Sequence, residues 1–321
     1  MTKLTAGPDD VRYAYRLLLG REPDQGGFEH YKNSVLSSNI DPPGIAHFLL
    51  NSEEYKNKNR ESAELREIDF NGIKLYPWIG DDLIGGNIIS SGSYEPHVLP
   101  RFLDCLKPGF VVLDVGANIG TFSLTAAKAV GHTGRVVSVE PVSKNVRSIC
   151  AGVVGNGFDN VTILPVAASD RPRVVPILRH SDSSNGIVDV HAAASVADAF
   201  VPTLRLDEVL AYLDRIDVLK IDIEGHEPMA WPGIANLVSR HRPMVFSELN
   251  PVAIRNHSHV EAERYLELLF AHTDAITVLH LEGRVVRCTS VQEIMHEWRE
   301  VNRQKGLNGE YLIDLMFKAE R

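Results

Sequence analysis

The stretch from Phe110 to Phe122, F-V-V-L-D-V-G-A-N-I-G-T-F, leaves this chain few folds to choose from. Phe110 to Leu113 is an unbroken apolar run, the pattern of a strand covered on both faces. Asp114 falls at the strand's carboxyl end, Gly116, Asn118 and Gly120 space a tight turn, and a helix is predicted from Thr121. A strand–turn–helix of this kind belongs to a doubly wound α/β sheet, whose ligands bind beyond the carboxyl ends of the strands. The turn lacks the middle glycine of G-x-G-x-x-G, and no Lys-Ser or Lys-Thr pair follows it. Neither a dinucleotide fingerprint nor a phosphate-cradling loop is present.

A second strand, R-V-V-S-V-E from Arg135, ends in Glu140, 26 positions after Asp114. A carboxylate there can accept hydrogen bonds from two ribose hydroxyls. The turn resembles the first motif of class I methyltransferases that use S-adenosylmethionine. That resemblance implies that Asp114, Gly116, Asn118 and Gly120 hold the methionine part of the cofactor and Glu140 its ribose. A third strand over 161–166 is followed by Ala167-Ala-Ser-Asp170. In this class such a segment encloses the adenine, which assigns backbone contacts to Ala168 and Ser169 and an amine acceptor to Asp170. Asp170 as a plain turn former is the alternative. Glu95, just after Gly92, is a candidate for the cofactor's ammonium group or ribose, and equally a cap for the helix that follows.

The second informative stretch is I-D-V-L-K-I-D-I-E-G-H-E, from Ile216 to Glu227. With R-P-M-V-F-S-E-L-N, ending at Asn250, it supplies a fourth and a fifth strand whose polar residues gather at the strand exits. Asp222, Glu248 and Asn250 then converge. Together with L-D-V-G-A-N-I-G-T-F, V-x-x-V-E-P and the W-P-G at Trp231, the pattern is similar to the FkbM-type methyltransferases from about Ser90 to Asn250. The resemblance implies a class I, Rossmann-like seven-stranded sheet with an antiparallel last strand. It also implies O-methylation, often of sugar hydroxyls in glycans and glycosylated natural products. A sugar hydroxyl is a poor acid, so a base or a divalent ion must help remove its proton. His226 is the first choice for base, with Asp222 and Glu224 as further catalytic candidates. Asp222, Glu248 and Asn250 make an oxygen-only set suited to Mg²⁺. The structural alternatives are a packing histidine at 226 and a Glu248 paired with Lys220 or Arg255.

The rest of the chain frames these motifs. Residues 1–60 read as a small helical module, with Gly20-Arg-Glu-Pro-Asp as a stop and restart between helices. Y-R-L-L-L-G-R-E-P-D-Q-G-G-F-E-H-Y and L-N-S-E-E-Y resemble a small domain found beside glycan-modifying enzymes. Ser52-Glu-Glu-Tyr55 reads as a short turn, residues 61–109 as linker, a hairpin turned at Asn71-Gly72, an extended segment around Gly85-Gly86 and a lead-in, and 110–321 as the methyltransferase domain, with a loop over 181–186 and a helix over 203–213. Over 321 residues, 33 basic side chains against 42 acidic give a net charge of −9. This argues against broad electrostatic binding of nucleic acid, which needs a basic face, though not against a local patch. Three widely spaced cysteines read as reduced thiols. No leader and no apolar run of membrane-spanning length is apparent, so a cytoplasmic protein is expected. The expected partner is a sugar or glycoconjugate acceptor, and a homo-oligomer is compatible with the sequence. Methylation of another small molecule, or a non-catalytic cofactor-binding scaffold, are the competing readings.

Overall fold

The computed structural model describes residues 7–19, 21–38, 42–50, 52, 54, 64–79, 81, 84–181, 184–187 and 199–321. The chain divides into two compact units, Met1–Glu64 and Leu65–Arg321, so residues 65–109 group with the sheet. In the first unit α1 (Pro8–Ala14) runs on into a π-helical turn (Tyr15–Leu19), followed by α2 (Gln25–Ser38) and α3 (Pro42–Leu50). Val11, Tyr15, Ile45 and Leu49 form its small buried core. The short turn expected over 52–55 falls largely outside the described residues.

The second unit opens with a hairpin, β1 (Ile68–Phe70) and β2 (Ile73–Leu75), turned at Asn71-Gly72 as the sequence predicts. The stretch around Gly85-Gly86, predicted to be extended, is instead the helix α4 (Ile84–Ser91). Asp81 explains the difference: its carboxylate accepts the N–H groups of Ile84 and Gly85 at 3.2 and 3.0 Å and so caps the first turn. The helix α5 (Leu99–Asp104) then leads into the sheet.

The alternation that follows is β3 (Val111–Val115), α6 (Thr121–Val130), β4 (Arg135–Val139), α7 (Ser143–Asn156) and β5 (Val161–Leu164). Next comes a small sheet of β6 (Ala167–Ala168), β7 (Arg173–Ser181), β8 (Ser184–Ile187) and β9 (Ala199–Leu204), in the order β6-β9-β7-β8. This corrects two expectations. Ser181 and residues 184–186 lie in the paired strands β7 and β8 rather than in a loop, and the helix predicted over 203–213 shrinks to α8 (Leu206–Val209). Val201 and Thr203 are buried while Phe200 and Pro202 are exposed, a period of two that belongs to a strand. Residues 188–198 lie outside the described residues.

The chain then returns to the main sheet with β10 (Val218–Ile221), α9 (Glu227–Ala230), α10 (Ala235–His241), β11 (Met244–Leu249), α11 (Pro251–Ser258) and α12 (Ala262–Phe270). It closes with β12 (Ile276–Leu279), β13 (Val285–Cys288), α13 (Val291–Lys305) and β14 (Ile313–Lys318). The main sheet has the order β13-β12-β14-β11-β10-β3-β4-β5. Its strands β11, β10, β3, β4 and β5 are parallel, and β14 enters antiparallel between β11 and β12. Among the described residues eight strands stand where seven were expected, because the hairpin at Glu282-Gly283 folds β13 back as an extra edge strand on β12. Leu113 and Val115 pack into one core with Trp231 and Tyr265, whereas Val112 packs into the other with Phe102 and Phe122. Both faces are covered, which is why these strands read as continuous apolar runs.

Candidate active site

The cleft lies at the carboxyl rim of β3, β4, β10 and β11, with about 870 Å³ of empty space including its open mouth. Its geometry begins with the turn after β3. Gly116 has φ 87°, and a β-carbon on it would come within 1.8 Å of the carbonyl oxygen of Asp222. Only glycine fits there. Asn118, at φ 51°, presents its N–H to Glu140 Oε2 at 2.9 Å. Glu140 Oε1 accepts from the N–H of Val142 at 2.9 Å and from Asn145 Nδ2 at 3.3 Å. Burial pushes the Glu140 carboxyl up to about 7 against those hydrogen bonds.

Five of the residues expected to hold the cofactor line this cleft: Glu95, Gly116, Asn118, Glu140 and Ala168. Four do not. Asp114 is 1 % exposed and sits beneath the turn, where its Oδ2 accepts the Ser123 hydroxyl at 2.6 Å. Gly120 closes the turn as the residue before α6. Ser169 is drawn into the small sheet, its N–H bonding Leu204 O at 2.9 Å and its hydroxyl accepting from Arg173 at 3.1 Å. Asp170 pairs with Arg173 at 3.4 Å. The chain turns into β6 after Val166, and this carries both residues away from the cleft.

The opposite wall is acidic. Asp222, Glu224 and Glu248 line it, and among the described residues no lysine, arginine or histidine does. Lys220 lies behind them, 4 % exposed, with Nζ 2.7 Å from Asp222 Oδ2 and 4.4 Å from the centre of the Phe122 ring. Burial alone would lower its pKa, but Asp222, Glu95 and Asp114 together hold it above its ordinary value. Glu227, which has no role among the expected site residues, completes the group: one oxygen each from Asp222, Glu227 and Glu248 lie within 4.8 Å of one another. Burial raises Glu227 to about 8 and Glu95 to about 8, and holds Glu248 well above the usual carboxylate range, with Asp222 and Glu224 adding repulsion.

Two expectations change here. Asn250 does not join the carboxylates, because its Oδ1 accepts the Ala253 N–H at 3.1 Å and caps α11. His226 does not face the cleft. It is 3 % exposed, its Nε2 lies 3.3 Å from the Ser169 hydroxyl, and burial lowers its pKa to about 4, with Arg173 adding to the effect. The tight turn at Glu224-Gly225, both at positive φ, swings the histidine to the start of α9. The alternation of a strand was the overlooked signal for Lys220: residues two apart share a face, so K-I-D puts Lys220 beside Asp222. Lys220 therefore pairs with Asp222 and not with Glu248.

A parallel sheet with an antiparallel strand between β11 and β12, and a ligand cleft at the strands' carboxyl rim, defines a class I S-adenosylmethionine-dependent methyltransferase. The sequence profile of the methyltransferase FkbM domain matches residues 114–283, more than half of the chain. The protein belongs to the FkbM methyltransferase family. Among solved structures it is similar to Trm5b from Pyrococcus abyssi, at 14% identity over 81% of this chain and 57% of that one, with a TM-score of 0.42. A putative rRNA methylase from Clostridium thermocellum shares 11% identity over 70% of this chain and 94% of its own, TM-score 0.41. A methyltransferase FkbM from Methylobacillus flagellatus KT shares 16% over 97% of this chain and 60% of its own, TM-score 0.41. The chain thus spans less than two thirds of the Trm5b and Methylobacillus chains. No curated protein matches it. No helix among the described residues is long and apolar enough to cross a membrane.

Proposed function

We propose that this protein transfers a methyl group from S-adenosylmethionine to a hydroxyl oxygen of a sugar or glycoconjugate. The observation that carries the reading is one cleft shared by Glu140, under the Gly116–Asn118 turn, and by the acidic wall of Asp222, Glu224 and Glu248. When bound, the cofactor supplies a methyl carbon already activated by its sulfonium. Its ribose hydroxyls would donate to Glu140, and Ala168 and Val142 would flank the adenine. Glu95, whose Oε2 is buried without a partner, would take the ammonium group. A wall on which no described side chain is cationic suits a donor that carries both an ammonium and a sulfonium.

On the acceptor side, Asp222 and Glu248 would orient the hydroxyl, with or without a divalent ion held on the same carboxylates. Glu224, beside them on the cleft wall, would accept the proton as the oxygen attacks. An acidic wall favours a neutral polyhydroxyl acceptor over an anionic one, because like charges meet across a desolvated surface. The test is methyl transfer from labelled cofactor to a panel of glycosides and RNA, run with and without a chelator. Labelled glycoside supports the reading. Label confined to RNA, or cofactor binding with no transfer to any glycoside, overturns it.

A further inference from the structure

We propose that Asp222, Glu227 and Glu248 form a binding site for one hard divalent cation, with Glu227 rather than Asn250 as the third protein ligand. The three carboxylates each offer an oxygen within 4.8 Å of the others. Around Mg²⁺, at about 2.1 Å per bond, opposite oxygens sit about 4.2 Å apart, and around Ca²⁺, at about 2.4 Å, about 4.8 Å. Three oxygens within 4.8 Å of one another are close enough to share one such ion.

A second observation points to a cation at this position. Glu227 is 1 % exposed, and its Oε2 is buried with no hydrogen-bond partner, as is Oε2 of Glu248. The other oxygen of Glu227 is fixed by the N–H groups of Ile223 at 2.8 Å and Gly225 at 3.2 Å. Asp222 is likewise held through Oδ2 by Lys220 at 2.7 Å. Each of these two side chains is thus anchored at one oxygen, the arrangement that orients a carboxylate for a metal. Oxygen donors without sulfur or imidazole select a hard ion over zinc or copper. Asn250 is excluded because its Oδ1 is committed to capping α11.

Any part the ion plays in catalysis rests on the methyl-transfer reading, where a cation lowers the pKa of a nearby hydroxyl. Its binding does not, so the two fail separately. The experiment is a titration of metal-stripped full-length protein with Mn²⁺ alone, followed by water-proton relaxation, with Mg²⁺ and Ca²⁺ as competitors. One saturable site is expected, weakened about tenfold or more in Glu227→Gln and in Glu248→Gln. Asn250→Ala is expected to bind as the wild type does. Circular dichroism and cofactor binding check that each variant is folded, and Glu248→Gln, which disturbs no backbone hydrogen bond, stands in if Glu227→Gln does not fold. Absence of saturable binding up to about 10 mM Mn²⁺, unchanged binding in a folded Glu248→Gln, or loss of binding in Asn250→Ala overturns the proposal.

Discussion

The carbonyl oxygen of Asp222 occupies the space that a β-carbon on Gly116 would need, at 1.8 Å from its ideal position. The first turn of the cofactor half and the exit of β10 are therefore packed backbone to backbone. Gly116→Ala must shift one of two paired strands, and it also forces a side chain onto a backbone with φ 87°. The left-handed conformation alone costs about 1–2 kcal/mol, and the clash adds to it. A lower urea midpoint is expected, together with loss of cofactor binding by calorimetry. A variant with unchanged midpoint and affinity would contradict the packing.

Glu140 makes a pH-dependent prediction. Burial raises its carboxyl from the ordinary 4.5 to about 7 in the folded protein. The folded state then holds the proton more tightly than the unfolded chain does. The stability this contributes is present below 4.5 and is lost as the pH rises through about 7. Cofactor affinity should run the opposite way, because the ionised carboxylate is the better acceptor for ribose hydroxyls. Glu140→Gln should lower affinity about 10–100-fold at pH 8 and flatten its pH dependence. Calorimetry at pH 6 and pH 8 measures both.

Much of this arrangement was legible in local patterns. The run before Asp114, the glycine-spaced turn and the carboxylate closing β4 are short-range features, and they led to the sheet and to Gly116, Asn118 and Glu140. The small sheet was not legible, because β6 and β9 pair residues 36 apart and their alternation is short. Nor was the direction of a side chain after a tight turn. His226 follows Asp222 by four residues, yet Glu224-Gly225 turns it into the protein, while Glu227 closes on the carboxylate group. Spacing along the chain says which residues leave the strand together, and the backbone of the turn decides which return to the cleft.

That turn separates two substitutions. His226 is neutral, buried and turned towards Ser169, so His226→Ala should leave kcat within a few-fold of wild type while lowering stability by about 2 kcal/mol through the space it empties. Glu224 lines the cleft, and Glu224→Gln should lower kcat about 10²–10⁴-fold with cofactor affinity unchanged. Rate assays at saturating cofactor, paired with calorimetry, distinguish the outcomes. The reverse ranking would restore the histidine as the base.

His97 and Asp314 carry the last prediction. They lie 217 residues apart, are 5 % and 8 % exposed, and meet at 2.7 Å between Nε2 and Oδ2. His97 follows the Tyr94-Glu95 turn that lines the cleft, and Asp314 sits on β14 directly opposite Glu248. The pair thus ties the turn carrying Glu95 to the strand beside the acidic wall. Burial raises the pKa of Asp314, and His97 opposes that rise. His97→Phe strands a carboxyl in the interior, and breaking a buried pair in this way costs about 3–5 kcal/mol. Adding Asp314→Leu removes the stranded group and should recover much of that loss. Cofactor affinity should stay low in the double variant, because Glu95 has lost its anchor. Urea denaturation of the two single variants and the double, with calorimetry on each, separates the tether from simple packing: recovery of stability together with full cofactor affinity would mean that the pair only fills space.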